Sequence, residues 1–166
     1  MPQFKIAEGL TTENLTAIKN LINSNLQTVI EGKTIEIHIA ETNFQPIADW
    51  FNQDNSPTVN IWIPNLDPKT LNQALVMSEF QALTVQKQNG WFAMIGGNEV
   101  NATIAQVRTN FGTIFSGATL SNLTAMAQRP ATRFENLSVV TNGTGKSTDM
   151  FGYIVSHQDI QMAIAL

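Results

Sequence analysis

The chain contains no cysteine, which excludes disulfides, thiolate catalysis and cysteine-based zinc sites. Its two histidines, His38 and His157, are too few and too far apart for a histidine-rich metal site without help from carboxylates. Charge is also scarce: Asp, Glu, Lys and Arg make up 13% of the 166 residues, about half of the roughly 25% usual in soluble proteins. With 9 basic and 13 acidic residues the net charge is -4, so the general phosphate-binding footprint of a nucleic-acid binder is missing. No apolar run approaches the roughly 18 residues needed to span a bilayer. Met1 to Leu10, with Lys5 and Glu8, lacks the apolar stretch of a secretory leader. The expectation is a protein made in the cytoplasm, with no membrane association and no cofactor.

Amides and hydroxyls fill the place of charge, with 29 Asn plus Gln and 18 Thr. The apolar fraction of 43% is ample for a core, and disorder needs the opposite balance of low hydrophobicity and high net charge. The length suits one ordinary domain. Asn-x-Ser/Thr triplets at Asn101, Asn122, Asn136 and Asn142 follow from this composition.

Along the chain, Leu15, Ile18, Ile22, Leu26 and Val29 recur at three and four residues, one apolar stripe of a helix opened by Thr11 or Thr12 and closed by Gly32. Ile35, Ile37 and Ile39 alternate with Glu36, His38 and Ala40, which predicts a strand with His38 on its exposed face. A short helix is expected from Pro46 to Phe51. Val59 to Ile63 reads as extended, and Asp67-Pro68 as the start of a helix running to Phe80 or Leu83. Further helices are expected from Thr84 to Ile95, from Asn101 to Phe115, and from Thr119 to Ala127. Pro130 marks a kink or a new helix start. Beyond Leu137 the pattern turns extended at Ser138 to Val140 and again at Phe151 to Val155. Ser156 and Asp159 then open a last helix. The fold class predicted is mainly α: a small helical bundle with short β segments and an extended C-terminal arm. Its body is residues 1–137, with 33–43 a strand-like insertion, and its arm residues 138–166.

Gly143-Thr144-Gly145-Lys146-Ser147 ends like a phosphate-binding loop, but that loop needs a further glycine where Val140 stands and a helix after the serine. A flexible turn is the better reading. Carboxylates are scattered, and Asp159 near His157 is explained by helix capping. Arg129 and Arg133, four apart, share one helical face if the chain bends little at Pro130. They suit either a solvated surface with Glu135 nearby or a contact to an acidic partner.

Several segments taken in order resemble a family of tailed-phage virion proteins encoded among head and tail genes. They are Pro46 to Asn52, Ser56-Pro57 followed by Ile61-Trp62, Leu83 to Val85, Val107-Arg108, Ile114 to Gly117, and Ala127 to Arg133. A Gly-Thr-Gly turn at Gly143 to Gly145 then precedes the Ser156 to Ile160 helix start. The likeness spans roughly residues 44 to 166. It departs where Phe134-Glu135-Asn136 follows the Arg-Pro-Ala-Thr-Arg segment, at Val85 to Gln88, and at Lys33 to Asn43, which looks like an insertion.

The resemblance implies a structural, non-enzymatic protein of the virion neck, similar to head–tail adaptors or connectors. Such a protein forms a homo-oligomeric ring, usually of twelve copies, on the portal protein. It meets a tail terminator, stopper or other neck protein, and DNA passes through without specific binding. It implies that Phe151, Tyr153, Ile154, Ile160, Met162, Ile164 and Leu166 are buried anchors of the arm, with Arg129 and Arg133 as further interface candidates. Other readings are a tail-completion or head-decoration protein, or a small cytoplasmic binding module or enzyme built on the scattered carboxylates and His157.

Overall fold

The structure, a computed structural model, describes residues 9–142 and 145–166. It is mainly helical with short strands, and it forms two compact units. Unit 1 is Met1–Val59, Ala131–Val139 and Thr148–Leu166; unit 2 is Asn60–Pro130 and Val140–Ser147.

Unit 1 begins with α1 (Thr12–Ser24), whose N-cap Thr11 and third residue Asn14 cap each other reciprocally, and it buries Leu15, Ile18 and Ile22. The helix stops well short of Gly32. Beyond it, β1 (Val29–Ile30) and β2 (Lys33–Thr34) form a hairpin around Glu31 (φ 49°) and Gly32 (φ 81°). Two consecutive left-handed residues are what a tight two-residue hairpin turn requires, so Gly32 serves that turn and not a helix end. The strand expected at 35–39 is instead a helix, α2 (Ile35–Ala40), because the Thr34 hydroxyl accepts the Ile37 amide and caps it. An alternation this short fits either geometry. Ile35 and His38 face inward and Ile37 is exposed. His38 is therefore buried, with Nε2 2.9 Å from the Ile30 carbonyl oxygen.

Helix α3 (Gln45–Asn52) forms where Pro46 predicts it and buries Ile47, Ala48, Trp50 and Phe51. The remaining helices of unit 1 are α9 (Arg133–Leu137) and α10 (His157–Ala165), each opened by a reciprocal capping box, Thr132 with Glu135 and Ser156 with Asp159. Within the stretch 138–166 expected as an arm, the short terminal helix is α10, and it is docked. It packs against α1 and α3, and Val155, Ile160 and Ala163 complete a core with Ile18, Ile22, Phe51 and Phe134. The Asn52 side chain fixes its entry, accepting the Val155 amide at 2.8 Å and donating to the Val155 carbonyl at 2.9 Å. Phe151 to Val155 contains no strand; Gly152 (φ 73°) lies in a turn ahead of an irregular lead-in.

Unit 2 carries β3 (Asn60–Trp62), α4 (Pro68–Asn72), α5 (Met77–Gln81), α6 (Val85–Ile95), α7 (Ala105–Ile114), α8 (Gly117–Met126) and β4 (Gln128–Pro130). With β5 (Val139–Asn142) and β6 (Gly145–Thr148) the strands are ordered β4-β3-β6-β5. Here β3 is antiparallel to β4 and parallel to β6. Trp62, Leu71, Trp91, Phe111, Phe115 and Leu123 form the core. Asp67 caps α4 as predicted, but the single helix expected to Phe80 is split into α4 and α5. Pro130 is neither a kink nor a helix start: it ends the edge strand β4, where its missing N–H costs no ladder bond.

The first amides of α8 are capped from a distance. Glu79 of α5 accepts Ala118 N at 3.0 Å and Thr119 N at 2.8 Å, while the Thr119 hydroxyl accepts Val76 N. Gly117 (φ 68°) makes this approach possible, since a Cβ there would sit 2.8 Å from Glu79 Oε1. The Thr119 side chain, then the Thr119 and Ala118 amides, hold the Glu79 carboxyl below its ordinary value of 4.5. A lowered carboxyl stabilises the fold above its unfolded-state value, and that contribution fades as pH falls through the folded-state value. Unit 2 should therefore lose stability on acidification below about pH 4.5, and Glu79→Gln should flatten that part of a stability-against-pH curve.

Candidate functional site

The predicted interface residues are dispersed. Arg129 lies in β4 of unit 2, opposite Ile61, and donates from Nη1 to the Pro130 carbonyl at 2.8 Å. Arg133 lies in α9 of unit 1. They do not share a helical face, because the chain between them is strand and extended connection. Arg133 is engaged inside its own unit: its guanidinium carbon stands 4.8 Å from the centre of the Trp50 ring, and Nη1 donates to the Trp50 carbonyl at 2.8 Å and to Gln53 Oε1 at 3.0 Å. A planar guanidinium can stack and donate at once, whereas an ammonium gives up the stack. Arg133→Lys should lower the unfolding free energy by about 1 kcal/mol in urea denaturation.

Glu135, offered by the sequence as a surface partner for these arginines, is buried. Its two oxygens accept backbone amides from separate segments, Thr132 N at 2.9 Å and Gly152 N at 2.7 Å. It thus ties the turn before α10 to the start of α9. The Thr-x-x-Glu spacing could have flagged the first of these bonds; nothing in the sequence flags the second.

The anchors on and before α10 separate by exposure. Ile160 is fully buried, and Phe151, Tyr153 and Ile164 are half-buried. The Tyr153 hydroxyl donates to Asp159 Oδ2 at 3.1 Å. Burial first, then the Asp159 charge, pushes this phenol up to about 12. Asp159 also accepts the Ser156 amide and hydroxyl, so its role is capping, and His157 is solvent-exposed beside it. Ile164 lines a groove of about 240 Å³ with Ile22, Leu26 and Ile39, rimmed by Lys19 and Glu36.

Three anchors remain open to solvent: Ile154 at 71%, Met162 at 48% and Leu166 at 56% exposure. Met162 and Leu166 are four residues apart and neighbours on the outer side of α10. Between Phe151 and Leu166 the single charged residue is Asp159, which is buried. The outer face of α10 is therefore apolar and amide-lined, with no charged side chain.

Lys146 and Ser147 belong to β6, with Lys146 in register with Ile61 of β3, so no helix begins where a phosphate-binding loop needs one. Gly143 and Thr144, the tip of that motif, lie outside the described residues. Among the described residues no three His, Asp or Glu side chains gather into a group that could hold a metal ion, and no helix is long and apolar enough to cross a membrane. Comparison with protein families, with characterised proteins and with solved structures finds no match for this chain.

Proposed function

We propose that this chain is a structural protein of a tailed-phage neck, a head–tail adaptor that assembles as a homo-oligomeric ring on the portal and links it to the tail without catalysis. The observation that carries the reading is the outer side of α10, free of charged side chains, where Met162 and Leu166 stand in solvent, together with Ile154 exposed in the lead-in before it. Apolar side chains surrounded by amides can be covered by another protein without stripping water from charges, the step that makes burial of ionic surfaces costly. The ordered resemblance over residues 44 to 166 supplies the kind of assembly. The net charge of -4 suits a channel wall that does not grip the DNA passing it.

Imaging of intact particles tests the placement: density for this chain between portal and tail supports it, and density on the capsid surface or at the tail tip assigns another virion role. Turnover of a metabolite by a solitary monomer overturns it altogether. The surface itself is tested with Met162→Glu combined with Leu166→Glu. Light scattering should report a loss of high-mass species, while the melting temperature stays within about a degree or two, as expected for exposed positions.

A further inference from the structure

The two units differ in charge. Among its described residues, unit 1 has three basic side chains (Lys19, Lys33 and Arg133) against nine acidic ones, a net of -6. Unit 2 has five basic (Lys69, Lys87, Arg108, Arg129 and Lys146) against three acidic (Asp67, Glu79 and Glu99), a net of +2. The total of -4 hides this polarity.

Unit 2 also has an open apolar face of its own. Val85 and Phe92, 71% and 55% exposed, are seven residues apart and therefore on one side of α6. The Phe92 ring meets Phe80 of α5 edge-on at 5.7 Å, and Met77, three residues before Phe80, is 59% exposed. Gln88, between Val85 and Phe92 on α6, donates to the Phe80 carbonyl. The result is an apolar patch joined across α5 and α6 at Phe80 and Phe92, with Met77 and Val85 exposed on the same two helices and Lys87 on α6.

One chain thus carries two different apolar faces, on units of opposite net charge. Two copies placed face-to-like-face would bring like charge together. Two copies placed α5–α6 against α10 bring a +2 unit to a -6 unit and cover both patches. We infer that copies of this chain associate head to tail, the α5–α6 face of unit 2 in one copy seated on the α10 face of unit 1 in the next. Where each contact joins a new copy, this heterologous contact leaves one unused face at each end and propagates into a ring or a filament. The inference deepens the assembly reading above, since it uses the same α10 face, but its test requires no phage component.

The absence of cysteine makes the test direct. Phe92→Cys and Met162→Cys each introduce a unique thiol at an exposed position, and melting curves establish that both variants fold. At a concentration where light scattering reports species above the monomer mass, each variant is treated with a flexible bis-maleimide, alone and mixed. The inference expects a covalent dimer in the mixture and none with either variant alone. It also expects at least a fivefold fall in cross-linking yield when salt is raised from about 50 mM to about 500 mM, since opposite charge draws the faces together. A dimer of Met162→Cys alone means a two-fold contact through α10 and overturns the inference. So does a dimer of Phe92→Cys alone, a mixture that does not cross-link, or a chain that is monomeric at every concentration. Cross-linking as expected by a chain that is absent from phage necks would leave this inference standing and sink the functional proposal; the reverse result would separate them the other way.

Discussion

Ile160→Ala should lower the unfolding free energy by about 2–5 kcal/mol in urea denaturation, while Met162→Ala, two residues along the same helix, should change it by no more than about 0.5 kcal/mol. Ile160 is fully buried in the core that α10 makes with α1 and α3, and Met162 is 48% exposed. Deleting the side chain of Ile160 leaves a cavity flanked by well-packed helices that cannot collapse fully, so the loss exceeds the transfer energy of the removed carbons. A free trailing segment would give the opposite pattern, with Ile160→Ala silent. Removal of residues 150–166 should for the same reason unfold unit 1, because it strips Val155, Ile160 and Ala163 from the core and leaves Asn52 without the Val155 backbone groups it pairs with. Far-ultraviolet circular dichroism of the shortened chain decides this, since a retained native helix signal would contradict the docking of α10.

Trp91→Ala should cost about 3–5 kcal/mol, the range for deleting a buried aromatic side chain. Trp91 is completely buried in unit 2, its ring edge-on to Phe115 at 5.1 Å, and its indole N–H donates to Asn72 Oδ1 at 3.1 Å. It joins α6 to α4 and to the end of α7 in one contact. Trp91→Phe keeps most of the apolar volume and loses the donor. Asn72 is exposed and regains water, so this variant should lose only about 0.5–1.5 kcal/mol from the hydrogen bond, plus a packing cost for the smaller ring. Denaturation curves in which alanine and phenylalanine behave alike would remove Trp91 from its place as the centre of this core.

Local chemistry proved the most readable part of the chain. Thr11, Asp67, Thr84, Thr132 and Ser156 all cap helices. For Thr11, Asp67, Thr84 and Ser156 the residue types and spacing announce this directly, because a cap bonds amides two or three positions ahead and needs nothing from the rest of the chain. The stripe of α1 was legible for a related reason, since several turns of helix repeat the same spacing. The segment Ile35 to Ala40 was misread because five residues of alternating isoleucine satisfy both periods, and the Thr34 cap and the preceding hairpin tipped it to helix. Pro130 was misread because proline is compatible with a helix start and with an edge strand, and the choice lies with Asn60 of the partner strand, far away in sequence.

The candidate surface was legible only as a list of apolar residues. The segment from Phe151 onward holds both the buried Ile160 and the exposed Met162 and Leu166, and residue type does not distinguish them. Helical phase separates the two sets once the helix is docked, and docking depends on the complementary faces of α1 and α3. The pairing of Arg133 with Trp50 and of Glu135 with Gly152 depended likewise on chain segments many residues apart.

Composition, helical character and the capping boxes follow from short-range chemistry, which reads the same in any surroundings. The seating of α10, the hidden polarity between the units and the division of apolar side chains into core and surface follow from long-range packing, in which each face is defined by the one it meets.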